Sequence, residues 1–319
     1  MVVPLIVAPT IRAQSNPPLL LEKTISLSGI KGRIDHLAYD TQHHRLFVAS
    51  LGNNTVEAID LAKADITHSI TGLSEPQGVL YEPQSNRLWV ANGGDGTVRI
   101  FDASTFHMLR SVHLGDDADN IRTDNRHIYV GYGSGGIAVF DLAGNKLQDI
   151  KVDAHPESFR IDPGSSRIFV NLPGAHKIAV INLAKSAVVA NWRTDDAEAN
   201  FPMALDEADR RLFVVCRRPA VLLVLDTTSG AVVAKLPSVG DSDDVFYDQK
   251  RRQIYATGGE GSIIVYRQLD ANHYRETARV ETVAGARTSL FVAEQDRLFV
   301  AARQQGNNPA AIRVYKVTD

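Results

Sequence analysis

One short strand recurs seven times along this chain: Leu46-Phe47-Val48, Leu88-Trp89-Val90, Ile128-Tyr129-Val130, Ile168-Phe169-Val170, Leu212-Phe213-Val214, Ile254-Tyr255-Ala256 and Leu298-Phe299-Val300. The interval of about 40 to 44 residues is that of blade repeats. It overrides the two-domain expectation that a chain of 319 residues would otherwise raise. Each copy has the same grammar. A short strand such as "DHLAYD", "QGVLYE" or "DDVFYD" precedes a polar turn, and the recurring strand follows. Next comes a hairpin rich in Gly and Asn, as in "LGNNT" or "GGDGT", residues that accept positive φ at little cost. A third, alternating strand usually ends in Asp or Asn, whose side chain can bond the turn it starts, and a more polar fourth strand closes the unit. Helical periodicity is absent.

Four antiparallel strands repeated seven times predict an all-β chain folded as a seven-bladed β-propeller. Residues 16–319 form the single domain. The last copy stops one strand short, and the surplus strand, "LLLEKTISL" at 19–27, lies at the other end. It is expected to pair with the strand around Arg313–Val317, closing the ring and removing a sheet edge. The seven central aromatics, Phe47 to Phe299, read as packing between neighbouring blades.

Two copies are clearest: "EPQGVLYEPQSNRLWVANGGDGTVRIFD" at 75–102 and "HPESFRIDPGSSRIFVNLPGAHKIAVIN" at 155–182. With the other repeats they resemble the YVTN-repeat propellers, a group that includes the bacterial YncE-like proteins, over nearly the whole chain from about Leu19 to Asp319. That resemblance is specific for fold and weak for activity. It implies an exported binding or scaffold protein more readily than a named enzyme.

Bulk properties exclude several alternatives. A net charge of −3 supplies no field for nucleic acid or an acidic membrane, and no apolar run reaches the roughly 18 residues of a spanning helix. The single cysteine, Cys216, permits no intramolecular disulfide and reads as a small buried hydrophobe. The first 15 residues resemble a secretory leader with cleavage after Ala13. No Lys or Arg precedes the apolar run, however, and Pro4 and Pro9 interrupt it. A periplasmic or secreted location is expected from that leader, with a cytoplasmic one as the alternative.

Candidate site residues come from what differs among the copies. Four residues before each turn acid stand His36, Gly78, Asn120, Ser158, Pro202 and Asp244, with Thr288 at the same place in the last copy by alignment, and they are preceded by Asp35, Gln77, Asp119, Glu157, Phe201, Asp243 and Arg287. Their neighbours Leu37, Val79, Ile121, Phe159, Met203 and Val245 stay apolar. His36, Gln77, Asn120, Glu157 and Asp244 are therefore expected at the channel mouth as ligand-binding residues. His36, Asn120, Glu157 and Asp244 offer mostly oxygen donors, which favours Ca²⁺ or Mg²⁺ as a bound ion. A solvated channel mouth without chemistry is the plain alternative. Asn92, Tyr132, Asn171, Arg217 and Arg303, at the ends of second strands, are expected on the same rim. Arg217, Arg218, Arg287 and Arg303 suggest a basic arc for a carboxylate or phosphate, against the simpler reading of scattered surface arginines. His155 reads as a loop residue beside Glu157.

Three functions fit this pattern. The first is a monomeric binding or interaction propeller, without catalysis, taking a small molecule, ion or protein at the channel face. The second is a metal-assisted hydrolase or lactonase in which His36 or Glu157 moves the proton. The third, single-stranded nucleic-acid binding, lacks the concentrated basic surface it requires. No catalytic motif singles out an enzyme.

Overall fold

The second and third strands of each repeat are near-continuous apolar runs, which suits strands covered on both faces. In the computed structural model, which describes residues 17–194 and 196–318, they lie at the middle of seven four-stranded antiparallel blades set in a ring. Blades 1 to 6 span residues 37–70, 76–113, 118–151, 159–193, 198–237 and 242–281, each ordered from its innermost strand outward as in sequence. Blade 7 contributes Ser289–Val292, Arg297–Ala302 and Ala310–Val317, and its fourth strand is Leu19–Leu27 from the other end of the chain. Leu19 faces Val317, Thr24 faces Arg313 and Leu27 faces Ala310, the expected closure. Leu19, Ile25 and Leu27 are buried there. The described residues contain no α-helix, and hence none long and apolar enough to cross a membrane. The leader reading of residues 1–15 falls outside the described residues.

Seven aromatics organise seven interfaces. Phe47 of blade 1 packs with Val79, Leu88 and Val90 of blade 2, and Trp89 of blade 2 with Ile121, Ile128 and Val130 of blade 3. Tyr129, Phe169, Phe213 and Tyr255 repeat the contact into blades 4, 5, 6 and 7. Phe299 of blade 7 closes the cycle against Leu37, Leu46 and Val48 of blade 1. None of the seven is more than 3% exposed, so the packing reading holds at every copy. Cys216 is buried in the cluster between blades 4 and 5, and burial pushes its thiol up to about 12.

The turn acids are structural too. Asp40, wholly buried, accepts the backbone N–H groups of Gln42 and His43 at 2.9 and 3.0 Å. Asp60, at a third-strand end, does the same for Ala62 and Lys63 at 2.9 and 3.0 Å. Both are Asx turns.

Candidate functional site

A regular strand shows the channel only every second side chain. The innermost strands break that rule by a bulge. In blade 1 the Asp35 N–H donates to the Ala49 carbonyl at 2.8 Å, while the Ala49 N–H donates to the His36 carbonyl at 3.0 Å. Two residues thus oppose one. Blade 4 repeats this with Glu157 and Ser158 across from Asn171, at 3.0 and 3.1 Å. In blades 2, 3, 5 and 6 the register gains one inner-strand residue at the same place, between Pro76 and Val79, Ala118 and Ile121, Asn200 and Met203, and Ser242 and Asp244. An inserted residue re-aims side chains and suits a functional rim.

The bulges stack two rings. The mouth ring is Asp35, Gln77, Asp119, Glu157, Phe201, Asp243 and Arg287, and all seven line one cavity of about 420 Å³. The throat ring beneath is His36, Gly78, Asn120, Ser158, Pro202, Asp244 and Thr288, of which His36, Asn120 and Ser158 reach the same cavity. Gly78 has a steric reason. A Cβ there would lie 2.0 Å from the Asp119 carbonyl oxygen, so blade 2 carries no side chain at the throat. Past the bulge the alternation resumes. Leu37, Val79, Ile121, Phe159, Met203 and Val245 enter the blade interfaces. One residue further, Ala38, Leu80, Arg122, Arg160, Phe246 and Leu290 line a second cavity of about 240 Å³ at the other end of the channel.

The structure regroups the residues singled out from sequence. Gln77, Glu157 and Arg287 belong to the mouth ring; His36, Asn120 and Asp244 are one layer deeper. Asp244 borders the lower cavity, accepting the Ser289 N–H at 2.8 Å, and its carboxylate is 3.7 Å from His36 Nδ1. Asn120 is engaged on both sides, donating to Asp119 at 3.1 Å and accepting from Arg122 at 2.8 Å. The four arginines form no arc. Arg217 and Arg287 share Asp241 and Asp243, and Arg217 lies 3.8 Å over the Phe201 ring. Arg218 is exposed, 3.8 Å from Glu198. Arg303 lies against Gly285 beside a separate cavity that it shares with Arg313. Asn92 and Asn171 are buried, donating to the backbone carbonyls of Thr97 and Phe201 at 3.2 and 2.9 Å.

His155 emerges where sequence reasoning saw only a loop residue. With Asp119 and Glu157 it offers three ligand atoms lying within 4.8 Å of one another, a group able to hold a metal ion. Its Nδ1 is 2.7 Å from the Gly133 carbonyl. That oxygen only accepts, so Nδ1 carries a proton, and Nε2 faces Asp119 at 3.9 Å. A ring nitrogen fixed in this way by a backbone carbonyl is the usual support of a metal-ligating histidine. Phe201 and Leu51 apart, the mouth is chiefly polar: Asp35, Glu75, Asp117, Asp119, Glu157 and Asp243 stand against Arg33, Arg217, Arg287, His36 and His155.

Burial and neighbouring charge shift several of the titrating groups there. Burial, then the charge of Asp119, pushes Glu157 up to about 8. Burial opposes the charged form of His155, but its contacts to Asp119 and Gly133 outweigh it and raise the group to about 9. For His36 burial is likewise outweighed, by Asp244, Asp35 and Asp119, and the imidazole reaches about 9. His36 is therefore an imidazolium at neutral pH, a proton donor and not a base. Burial raises Asp243 to about 6 in spite of Arg217 and Arg287.

No family's sequence profile matches the chain, and no curated protein matches it by sequence. Solved structures do. A chain from a crystal structure of the mitotic checkpoint complex superposes with a TM-score of 0.79 at 13% identity, covering 100% of this chain and 97% of that one. A chain of hydrazine synthase from Kuenenia stuttgartiensis superposes with a TM-score of 0.76 at 17% identity, covering 90% of this chain and 97% of its own. Identities this low support the propeller fold and nothing about the site.

Proposed function

We propose that this propeller is a binding protein that takes a divalent cation, and through it a small polar ligand, at the mouth of its channel. The observation that carries the reading is the convergence of Asp119, His155 and Glu157, with ligand atoms within 4.8 Å of one another on the wall of the cavity. Two metal–ligand bonds of about 2.0–2.4 Å span such separations. One imidazole with two carboxylates suits Zn²⁺ or Mn²⁺ better than Ca²⁺, which prefers six to eight oxygens. The resemblance of the repeats to YVTN propellers agrees with a binding role, and the leader-like first 15 residues favour a place outside the cytoplasm. A mature protein beginning at Gln14 is the expected product there. The carboxylate-rich mouth disfavours a nucleic-acid backbone as ligand.

Calorimetric titration of metal-stripped protein tests this. One ion per chain is expected, Zn²⁺ or Mn²⁺ tighter than Ca²⁺, with affinity falling at least about tenfold in Asp119→Asn and in His155→Ala. Absence of binding at millimolar ion, or equal binding by both variants, overturns it.

Metal-assisted hydrolysis of an ester or lactone is the second reading, favoured by His36, which lines the same cavity and holds a proton at neutral pH. Turnover by ion-loaded protein that disappears in His36→Gln while ion binding persists would establish it. An ion-loaded protein inert toward a lactone panel counts against it.

A further inference from the structure

The lower cavity carries a chemistry opposite to that of the mouth. Its channel-facing position is the cross-strand partner of each anchor aromatic: Ala38 opposite Phe47, Leu80 opposite Trp89, Phe246 opposite Tyr255 and Leu290 opposite Phe299. In blades 3 and 4 the same position holds Arg122, opposite Tyr129, and Arg160, opposite Phe169. Two guanidinium groups from adjacent blades thus enter an otherwise apolar ring.

Neither is held in an ion pair, although the Asp244 carboxylate at the edge of the same cavity acts on both from further away. Among the described residues no carboxylate forms an ion pair with Arg122 or Arg160, whereas Arg217 and Arg287 each reach two. Arg122 donates to the Ile121 carbonyl at 2.7 Å and to Asn120 at 2.8 Å, with a longer contact to Ser158 at 3.4 Å, and its buried Nε has no partner. Arg160 donates, among the described residues, to the Phe159 carbonyl alone, at 3.1 Å. Burial, and then the charge of Arg122, lowers Arg160 to about 9. Both residues are half-buried, and a charge drawn out of water is ordinarily paired, because an isolated one pays a desolvation penalty. The guanidinium fork matches a planar oxyanion.

We propose that the end of the channel opposite the mouth binds a small organic carboxylate, its acid group on Arg122 and Arg160 and its apolar part against Leu80, Phe246 and Leu290. The cavity of about 240 Å³ is open to both kinds of contact, and the site is independent of any ion at the mouth.

Calorimetry of the full chain against acetate, butyrate, hexanoate and inorganic phosphate, at constant ionic strength, tests it. Affinity should rise from acetate to hexanoate, and phosphate should bind more weakly than hexanoate. Arg160→Gln should weaken hexanoate binding by about ten- to a hundredfold, the worth of one charged hydrogen-bond partner. Arg303→Gln, which removes a cation outside both channel cavities, should leave the titration unchanged. Ligand-free Arg160→Gln should melt no lower than the native chain, since it relieves the repulsion between two neighbouring half-buried cations, and hexanoate should raise the melting temperature of the native chain alone. Binding that is absent at millimolar hexanoate, equal in Arg160→Gln, or no tighter for hexanoate than for phosphate overturns the proposal.

Discussion

His36 is held between two acids, its Nε2 3.8 Å from Asp35 and its Nδ1 3.7 Å from Asp244, and only 15% of its side chain meets solvent. Burial alone would strip its proton, yet the surrounding carboxylates raise it from 6.5 to about 9. A group whose folded-state pKa lies above its unfolded value stabilises the fold fully below the lower of the two, and that stability disappears as pH climbs through the higher one. For His36 the window runs from 6.5 to about 9. Across it, at about 1.4 kcal/mol per pH unit, the native chain should lose about 3 kcal/mol through this one proton. Glu157 and His155 shift in the same direction, so the raw pH profile of the native protein mixes several groups. His36→Gln keeps a hydrogen-bonding side chain and removes the titration. Urea unfolding of both proteins at several pH values across the window isolates the contribution of His36 as the difference between their slopes. The native chain should destabilise more steeply than the variant, and an NMR titration should show the His36 ring ionising well above its free value. Parallel slopes would refute the account, because they would mean that the two acids do not hold the proton.

Gly78→Ala places a methyl group 2.0 Å from the Asp119 carbonyl oxygen. The overpacking should cost about 1–3 kcal/mol and, by displacing Asp119, weaken ion binding at the mouth; an unchanged urea midpoint with unchanged affinity would contradict it. Deleting residues 16–28 removes the strand that pairs with Ala310–Val317 and exposes a sheet edge. The truncated chain should lose cooperative unfolding, and a transition as sharp as that of the whole protein would count against ring closure as the source of cooperativity.

The blade count, the anchor aromatics and the closing strand were all legible in the sequence, because each depends on periods that strands and hairpins impose. The site was legible only in outline. Copy-to-copy divergence pointed to the right stretch, but an alternation of two gives no reason for consecutive residues to share a channel. Residues of the mouth ring, such as Glu157, were therefore grouped with throat residues such as Asp244. A signal was present: Asp35-His36, Asp119-Asn120, Glu157-Ser158 and Asp243-Asp244 are polar pairs directly before an apolar interface residue, the pattern an inserted residue leaves. His155 reads from sequence as a mere loop residue because it precedes the bulge, on a loop whose path only the fold supplies. Arg122 and Arg160 were hidden for the opposite reason. In "NIRTD" and "SFRID" they read as ordinary solvent-facing members of alternating strands, but on an innermost strand the face away from the blade interface is the channel.

Asn120 shows why the two ends of the channel can differ so sharply in charge within a single scaffold. Its amide oxygen accepts from the guanidinium of Arg122 at 2.8 Å, and its amide nitrogen donates to the carboxylate of Asp119 at 3.1 Å. An amide satisfies an acceptor on one side and a donor on the other through two separate atoms while carrying no charge itself. An aspartate there would meet Arg122 favourably and repel Asp119, and a lysine would do the reverse; either would extend one end's chemistry into the other. Such a divider costs the blades nothing, since the bulge has already removed this position from the interface that Ile121 and Trp89 fill. Packing holds the interface positions apolar in every repeat, and release from packing is what leaves Asp119, Asn120 and Arg122 free to take three different charges within four residues.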